Sequence, residues 1–166
     1  MSAIDELVRN NDAFASGRYP GSQSGTPSTG VAVVTCMDAR IDVYAMLGLR
    51  PGDAHVLRNA GGAVTEDVIR SLTLSQRLFG TQEVALVHHT DCGMLKVREQ
   101  ELKERVQRET GLRPPFALEA FTDLDDDVRQ SIARVKASPY LPSTFEVRGF
   151  VYEVHSGRLR EVVAVR

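Results

Sequence analysis

The chain has no tryptophan and only two cysteines among its 166 residues. Two cysteines cannot build the multiple-disulfide framework that staples small secreted folds, and a chain of this length buries enough apolar surface to fold without one. It also lacks any run of about 18 apolar residues, the length a membrane span needs. The opening MSAIDELVRNND has neither the basic stretch nor the apolar stretch of a secretory signal. Basic excess is missing too: 20 Lys and Arg stand against 22 Asp and Glu, giving a formal charge of -2 without a basic cluster to track a phosphate backbone. These absences predict a cytoplasmic protein with neither nucleic acid nor membrane as partner. With 42% hydrophobic and 25% charged residues the composition is that of an ordinary globular protein, which argues against disorder.

What is present reads as one domain over residues 1–166, with residues 1–30 as a helix-and-loop arm. Ser2 followed by Asp5 resembles a helix start, and Ile4, Leu7, Val8 and Phe14 recur near helical spacing. Ser16 to Gly30 holds four glycines, four serines, two prolines and two threonines, which is loop composition. Its extended path would let the first helix reach a neighbouring subunit. Val31 to Thr35, Ala54 to Arg58 and Glu83 to His88 read as strands, the first and third covered on both faces. Between them, Val43 to Leu47 reads as a short helix stopped by Gly48. Thr65 caps a helix that ends at Gly80, with Val68, Ile69, Leu72, Leu78 and Phe79 on one side. Met94 to Thr110 and Leu124 to Ala137 read as further helices, and Phe145 to Val154 with Leu159 to Val165 as a terminal hairpin. The expected fold is α/β: a mostly parallel central sheet flanked by helices, with an N-terminal helix free to pack on a partner subunit and a C-terminal strand hairpin. In such a sheet a site lies at the C-terminal ends of the strands.

Two segments fall at those ends: Thr35-Cys36-Met37-Asp38-Ala39-Arg40 and His88-His89-Thr90-Asp91-Cys92-Gly93-Met94. If the first and third strands are neighbours, Cys36 meets His89 and Cys92 on a single ion. Two thiolates and one imidazole suit tetrahedral zinc and leave its fourth position open, as a catalytic site requires. Two thiolates also leave the centre formally neutral and a weak Lewis acid, so bound water needs help to ionise. Asp38 and Arg40, two apart in extended backbone, can share a side and pair, which would hold Asp38 ionised to orient a zinc-bound hydroxide.

The spacing C-x-D-x-R followed by H-x-x-C resembles the signature of β-class carbonic anhydrases, and Arg58-Asn59-Ala60-Gly61 also resembles that family, most closely its short bacterial, mycobacterial-type members. The resemblance spans roughly Val31 to Met94. It implies Cys36, His89 and Cys92 as ligands of one zinc ion per chain, Asp38 and Arg40 as the catalytic dyad, and reversible hydration of carbon dioxide to bicarbonate and a proton by zinc-bound hydroxide. It further implies a homodimer or a dimer of dimers. In some members the aspartate becomes a fourth zinc ligand at low pH. A regulatory bicarbonate pocket in others depends on a tryptophan, so that form of regulation is not expected here.

Alternative readings attach to the same residues. Cysteine is often a small core residue, a natural reading for Cys36 alone but a poor one for Cys92 between Asp91 and Gly93. His88 points opposite to His89 and reads as packed, and His55 and His155 read as structural or exposed. Asp91 reads as a cap for a helix beginning near Met94 or as a support for a ligand. The Asn59 to Gly62 turn matches no phosphate loop and suits a close backbone approach beside the cleft. The four aspartates from Asp123 to Asp127 read as a solvated helix start. The same zinc site also fits a carbonyl sulfide or carbon disulfide hydrolase, or a non-catalytic zinc or redox sensor, although a sensor needs no Asp38–Arg40 pair.

Overall fold

The structure is a computed structural model that describes residues 2–17, 19, 21, 24–142 and 145–163. Its centre is a five-stranded sheet in the order β2-β1-β3-β4-β5. The strands are β1 (Val31–Cys36), β2 (Ala54–Asn59), β3 (Glu83–His89), β4 (Glu146–Glu153) and β5 (Arg158–Val162). β1 to β4 run parallel, and β5 folds back antiparallel on β4 as the expected hairpin. Val165 lies outside the described residues.

Alternation along the strands divides the core between the two faces. Ala32, Val34, Val84 and Leu86 meet Val68 and Leu72 of α3 (Glu66–Phe79) and Val128, Ile132 and Val135 of α5 (Leu124–Ala137). Val33 and Val87 face the other way, towards Ile41 and Val43, and Cys36 and Cys92 join that second cluster. The tightest approach between α5 and the sheet is at Gly149 of β4. A Cβ there would collide with Val128 and come within 2.8 Å of Ile132 Cδ1.

Local chemistry explains the element ends. Asp42 caps α2 (Val43–Leu47) by accepting from Ala45 N at 3.1 Å, and Gly48 ends it in the left-handed conformation at φ 66°. Thr65 and Asp123 cap α3 and α5 in the same way, accepting from Val68 N and Asp126 N. Asp125 of the acidic run also pairs with Arg160, and Asp126 with Arg129. At the N-terminus, Ser2 Oγ accepts from Asp5 N at 3.2 Å while Asp5 Oδ2 accepts from Ser2 N at 2.7 Å, a reciprocal cap on α1 (Ala3–Gly17).

Two expectations need correction. Leu78 is 70% exposed and does not share the core face of α3, whose buried residues are Val68, Leu72, Ser75 and Gln76. The helix expected from Met94 begins only at Glu99: residues 93–95 form a 3-10 turn, and α4 spans Glu99–Thr110. The side chain of Lys96, in the gap between them, is held back on Asp91 at 2.7 Å. Among the described residues no helix is long and apolar enough to cross a membrane.

Because α5 sits directly on Gly149, Gly149→Ala should destabilise the fold by about 1–3 kcal/mol, the usual cost of overpacking a filled core. Urea unfolding checks this, and an unchanged midpoint would mean that α5 is free to shift outward.

Candidate metal centre and active site

β1 and β3 are paired directly and in parallel, with Thr35 opposite Val87, so the two chemistry-bearing segments leave the sheet side by side. The buried Thr35 hydroxyl donates to Val87 O at 2.7 Å and ties the strand ends together. Cys36 is the last residue of β1 and His89 the last of β3. Cys92 returns after a tight turn at Asp91, whose φ is 52°. One donor atom each from Cys36, His89 and Cys92 lies within 4.8 Å of the others, and all three side chains are buried.

The histidine is oriented for this arrangement. Its Nδ1 lies 2.9 Å from Thr90 O, and a carbonyl can only accept, so the ring proton sits on Nδ1. Thr90 is itself anchored on β4: its N donates to Tyr152 O at 3.0 Å, and its Oγ1 accepts from Val154 N at 3.1 Å. His89 Nε2 is therefore the ring nitrogen left to take a proton or a metal ion, and it faces the two sulfurs. It is buried without a hydrogen-bond partner. A buried acceptor beside two thiols and without a donor fits a metal ion, and a Cys2His donor set fits zinc.

Charge within the donor cluster is unevenly divided. Cys36 is pulled down to about 4, chiefly by the hydrogen bond from the Cys92 thiol and then, against burial, by His89. Cys92 is pushed above the ordinary thiol range because it donates to Cys36 and would otherwise put a second negative charge in a buried site. For His89, burial opposes the charged ring, yet the neighbouring Cys36 thiolate outweighs it and the net direction is up.

Asp38 and Arg40 meet as their spacing suggested. Arg40 Nε and Nη2 grip Asp38 Oδ1 and Oδ2 at 2.9 and 2.8 Å, and Arg40 N adds a third bond to Oδ1 at 2.9 Å. This two-pronged contact holds the Asp38 carboxyl well below the usual carboxylate range. Asp38 Oδ2 lies 3.8 Å from His89 Nε2, so the carboxylate borders the donor cluster. Asp91 does not cap a helix. Its Oδ2 accepts from Arg40 Nη1 at 2.9 Å, its backbone O accepts from Nη2 at 3.0 Å, and its Oδ1 takes Lys96 Nζ at 2.7 Å. Lys96 was not singled out in the sequence, where nothing but its distance of five residues from Asp91 marks it.

The Asn59 to Gly62 turn makes the close approach expected of it. Gly62 has φ 70°, and a Cβ on it would stand 3.1 Å from both Cys36 N and Thr35 C. Backbone itself thus forms the floor beneath Cys36. His88 faces the opposite side of the sheet, buried beside Phe121; its Nδ1 is 2.9 Å from Asp127 Oδ2 but out of line for a hydrogen bond. His55 bonds Ser75 Oγ through Nδ1 at 2.7 Å, and His155 is exposed.

A parallel sheet that ends in this donor set, beside a bidentate Asp–Arg pair, is the architecture of one class of zinc enzyme. The carbonic anhydrase family matches residues 31–114, and the chain belongs to the β-carbonic anhydrases of that family. It is 49% identical over 162 residues to beta-carbonic anhydrase 1 of Mycobacterium tuberculosis, covering 98% of this chain and 99% of that one. A solved carbonic anhydrase of Streptococcus mutans superposes with a TM-score of 0.92 at 42% identity, covering 98% and 99%. A carbon disulfide hydrolase of an Acidianus strain is also similar, at 35% identity over 95% of this chain and 88% of that one.

Zinc uptake by the metal-free protein should strengthen as pH rises. Below the raised pKa of Cys92 the ion must displace the thiol proton, whereas Cys36 is already a thiolate. About one proton should be released per zinc near neutral pH, so affinity should climb about tenfold per pH unit between about pH 6 and 8. Calorimetry in buffers of different ionisation enthalpy measures this, and a pH-independent affinity would contradict the charge distribution above.

Proposed function

We propose that this chain catalyses the reversible hydration of carbon dioxide to bicarbonate and a proton, in the cytoplasm, with one zinc ion per chain held by Cys36, His89 and Cys92. The observation that carries this reading is the meeting of three buried donor atoms with an Asp38 carboxylate already fixed by Arg40. When bound there, zinc would supply the Lewis acidity that lets a water molecule ionise near neutral pH. The chain's own residues then set the direction of attack. Asp38, kept ionised by Arg40, can only accept a hydrogen bond at its carboxylate oxygens. It therefore holds the hydrogen of the attacking oxygen and turns that oxygen's lone pair towards the substrate carbon. Arg40, clamped from the far side by Asp91, keeps Asp38 from rotating out of that position. The proton leaves to solvent buffer.

The same donor set would serve either activity, and 49% against 35% identity favours carbon dioxide over carbon disulfide. The redox-sensing alternative gives the Asp38–Arg40 grip no work. Residues 1–166 are read as one domain that assembles as a homodimer or a dimer of dimers. Support for assembly comes from α1, which has no buried residue and presents Ile4, Leu7, Val8 and Phe14 to solvent. A 15-residue helix of this kind is marginal alone in water, so its apolar stripe needs a second copy to cover it.

The reading is tested by assaying zinc content and carbon dioxide hydration on one sample, with carbon disulfide as parallel substrate. About one zinc per chain with rapid hydration is expected. Asp38→Asn should keep the zinc and slow hydration by about a hundredfold or more, whereas Cys92→Ser should lose the zinc. Zinc with carbon disulfide consumed and carbon dioxide untouched would transfer the chain to the other hydrolase. Separately, Leu7→Glu should shift the sedimentation equilibrium towards smaller species, and an unchanged assembly would remove α1 from the interface.

A further inference from the structure

One cation at the site has no part in the dyad. Arg58 lies in β2, where Thr35 is its register partner. The ladder between β1 and β2 ends one pair later, at Cys36 and Asn59, because β2 breaks into the 3-10 turn of residues 60–62. Past that point β1 continues into the Cys36-Met37-Asp38 loop with one further sheet-like bond, from Met37 N to Asn59 O at 2.8 Å. Arg58 takes over where the ladder stops. Its Nε donates to Cys36 O at 2.9 Å and its Nη2 to Asp38 O at 2.8 Å. Among the described residues Arg58 makes no ion pair, and its guanidinium serves these two carbonyls.

The two carbonyls flank Met37, and the group that joins them is planar with its N–H directions fixed. A single rigid fork therefore sets the distance and twist between the peptide of a metal-ligand residue and the peptide of the catalytic carboxylate. Asp38 is then held at both ends by different arginines, its carboxylate by Arg40 and its carbonyl by Arg58. Cys36 in turn is held by Arg58 at its carbonyl while Gly62 presses beneath its backbone nitrogen. Neither Arg40 nor Asp91 touches Cys36 in this way, so Arg58 is the side chain that couples thiolate to carboxylate.

We propose that Arg58 is a positioning residue that fixes the placement of the Cys36 sulfur relative to the Asp38 carboxylate. This rests on the reading of Cys36 and Asp38 given above. Lysine at the same place would keep the charge but, as a point donor on a flexible stem, could not hold both carbonyls in one geometry. An error of about 1 Å in such a placement costs on the order of a hundredfold in rate.

The test compares Arg58→Lys, Arg58→Gln and Arg58→Ala with the unaltered enzyme in zinc content, thermal midpoint, kcat and KM, and in the thiolate-to-metal absorption of the cobalt-substituted protein. Arg58→Lys should fold and bind about one metal per chain. Its kcat should fall by about tenfold to a hundredfold with KM little changed, and its cobalt–thiolate absorption should shift. Added guanidinium should restore part of the kcat of Arg58→Ala. A role confined to stability would lower the thermal midpoint alone, so unchanged kcat and cobalt absorption in Arg58→Lys would overturn the proposal. Loss of metal from every variant would overturn it as well, because Arg58 would then be needed for the site to form at all. If the unaltered enzyme fails to hydrate carbon dioxide, the functional reading falls while the cobalt absorption still decides whether Arg58 sets the geometry.

Discussion

The site depends on the parallel pairing of β1 with β3. Parallel neighbours release their chains at the same edge of the sheet, so residues more than fifty positions apart in sequence emerge side by side. The bond from Thr35 Oγ1 to Val87 O locks this register one residue before Cys36 and two before His89. A slip in this register would move the two strand ends relative to each other and separate the donor atoms.

Around the donor cluster, charge is arranged in layers of opposite sign. The Cys36 thiolate and the Asp38 carboxylate form the inner layer, Arg40 and Arg58 the next, Asp91 the third and Lys96 the outermost. Arg40 is partly exposed, so its separate pairs with Asp38 and Asp91 would each count for little in water. What distinguishes it is the number of directed bonds on one planar group, which leaves its carboxylate partner a single orientation. The same reasoning applies to His89, where Thr90 O selects the tautomer and β4 in turn anchors Thr90.

Much of this was legible in the chain itself. The apolar run of β1, the capping of α2 between Asp42 and Gly48 and the strand-end location of both motifs depend on local chemistry, and local chemistry is written in order along the sequence. The bidentate contact between Asp38 and Arg40 also followed from a spacing of two. Illegible parts share a different cause. Arg58 bonds backbone carbonyls on another strand, and a carbonyl carries no residue identity for a pattern to reveal. The late start of α4 goes with the tie between Lys96 and Asp91, a contact between side chains that no helical period encodes. Leu78 fits an apolar stripe by count but falls on the outer side of α3, because Ser75 and Gln76 occupy the inward positions of that turn.

Gly62 carries a consequence for engineering. Because peptide atoms of Thr35 and Cys36 fill the space where its side chain would be, the site is shaped as much by an omitted atom as by the groups that are present. Grafting the three donor residues onto another parallel sheet would therefore reproduce the chemistry only if a side-chain-free, left-handed turn came with them. The smallest transferable unit is the pair of strand ends together with the turn after β2, rather than a list of ligands.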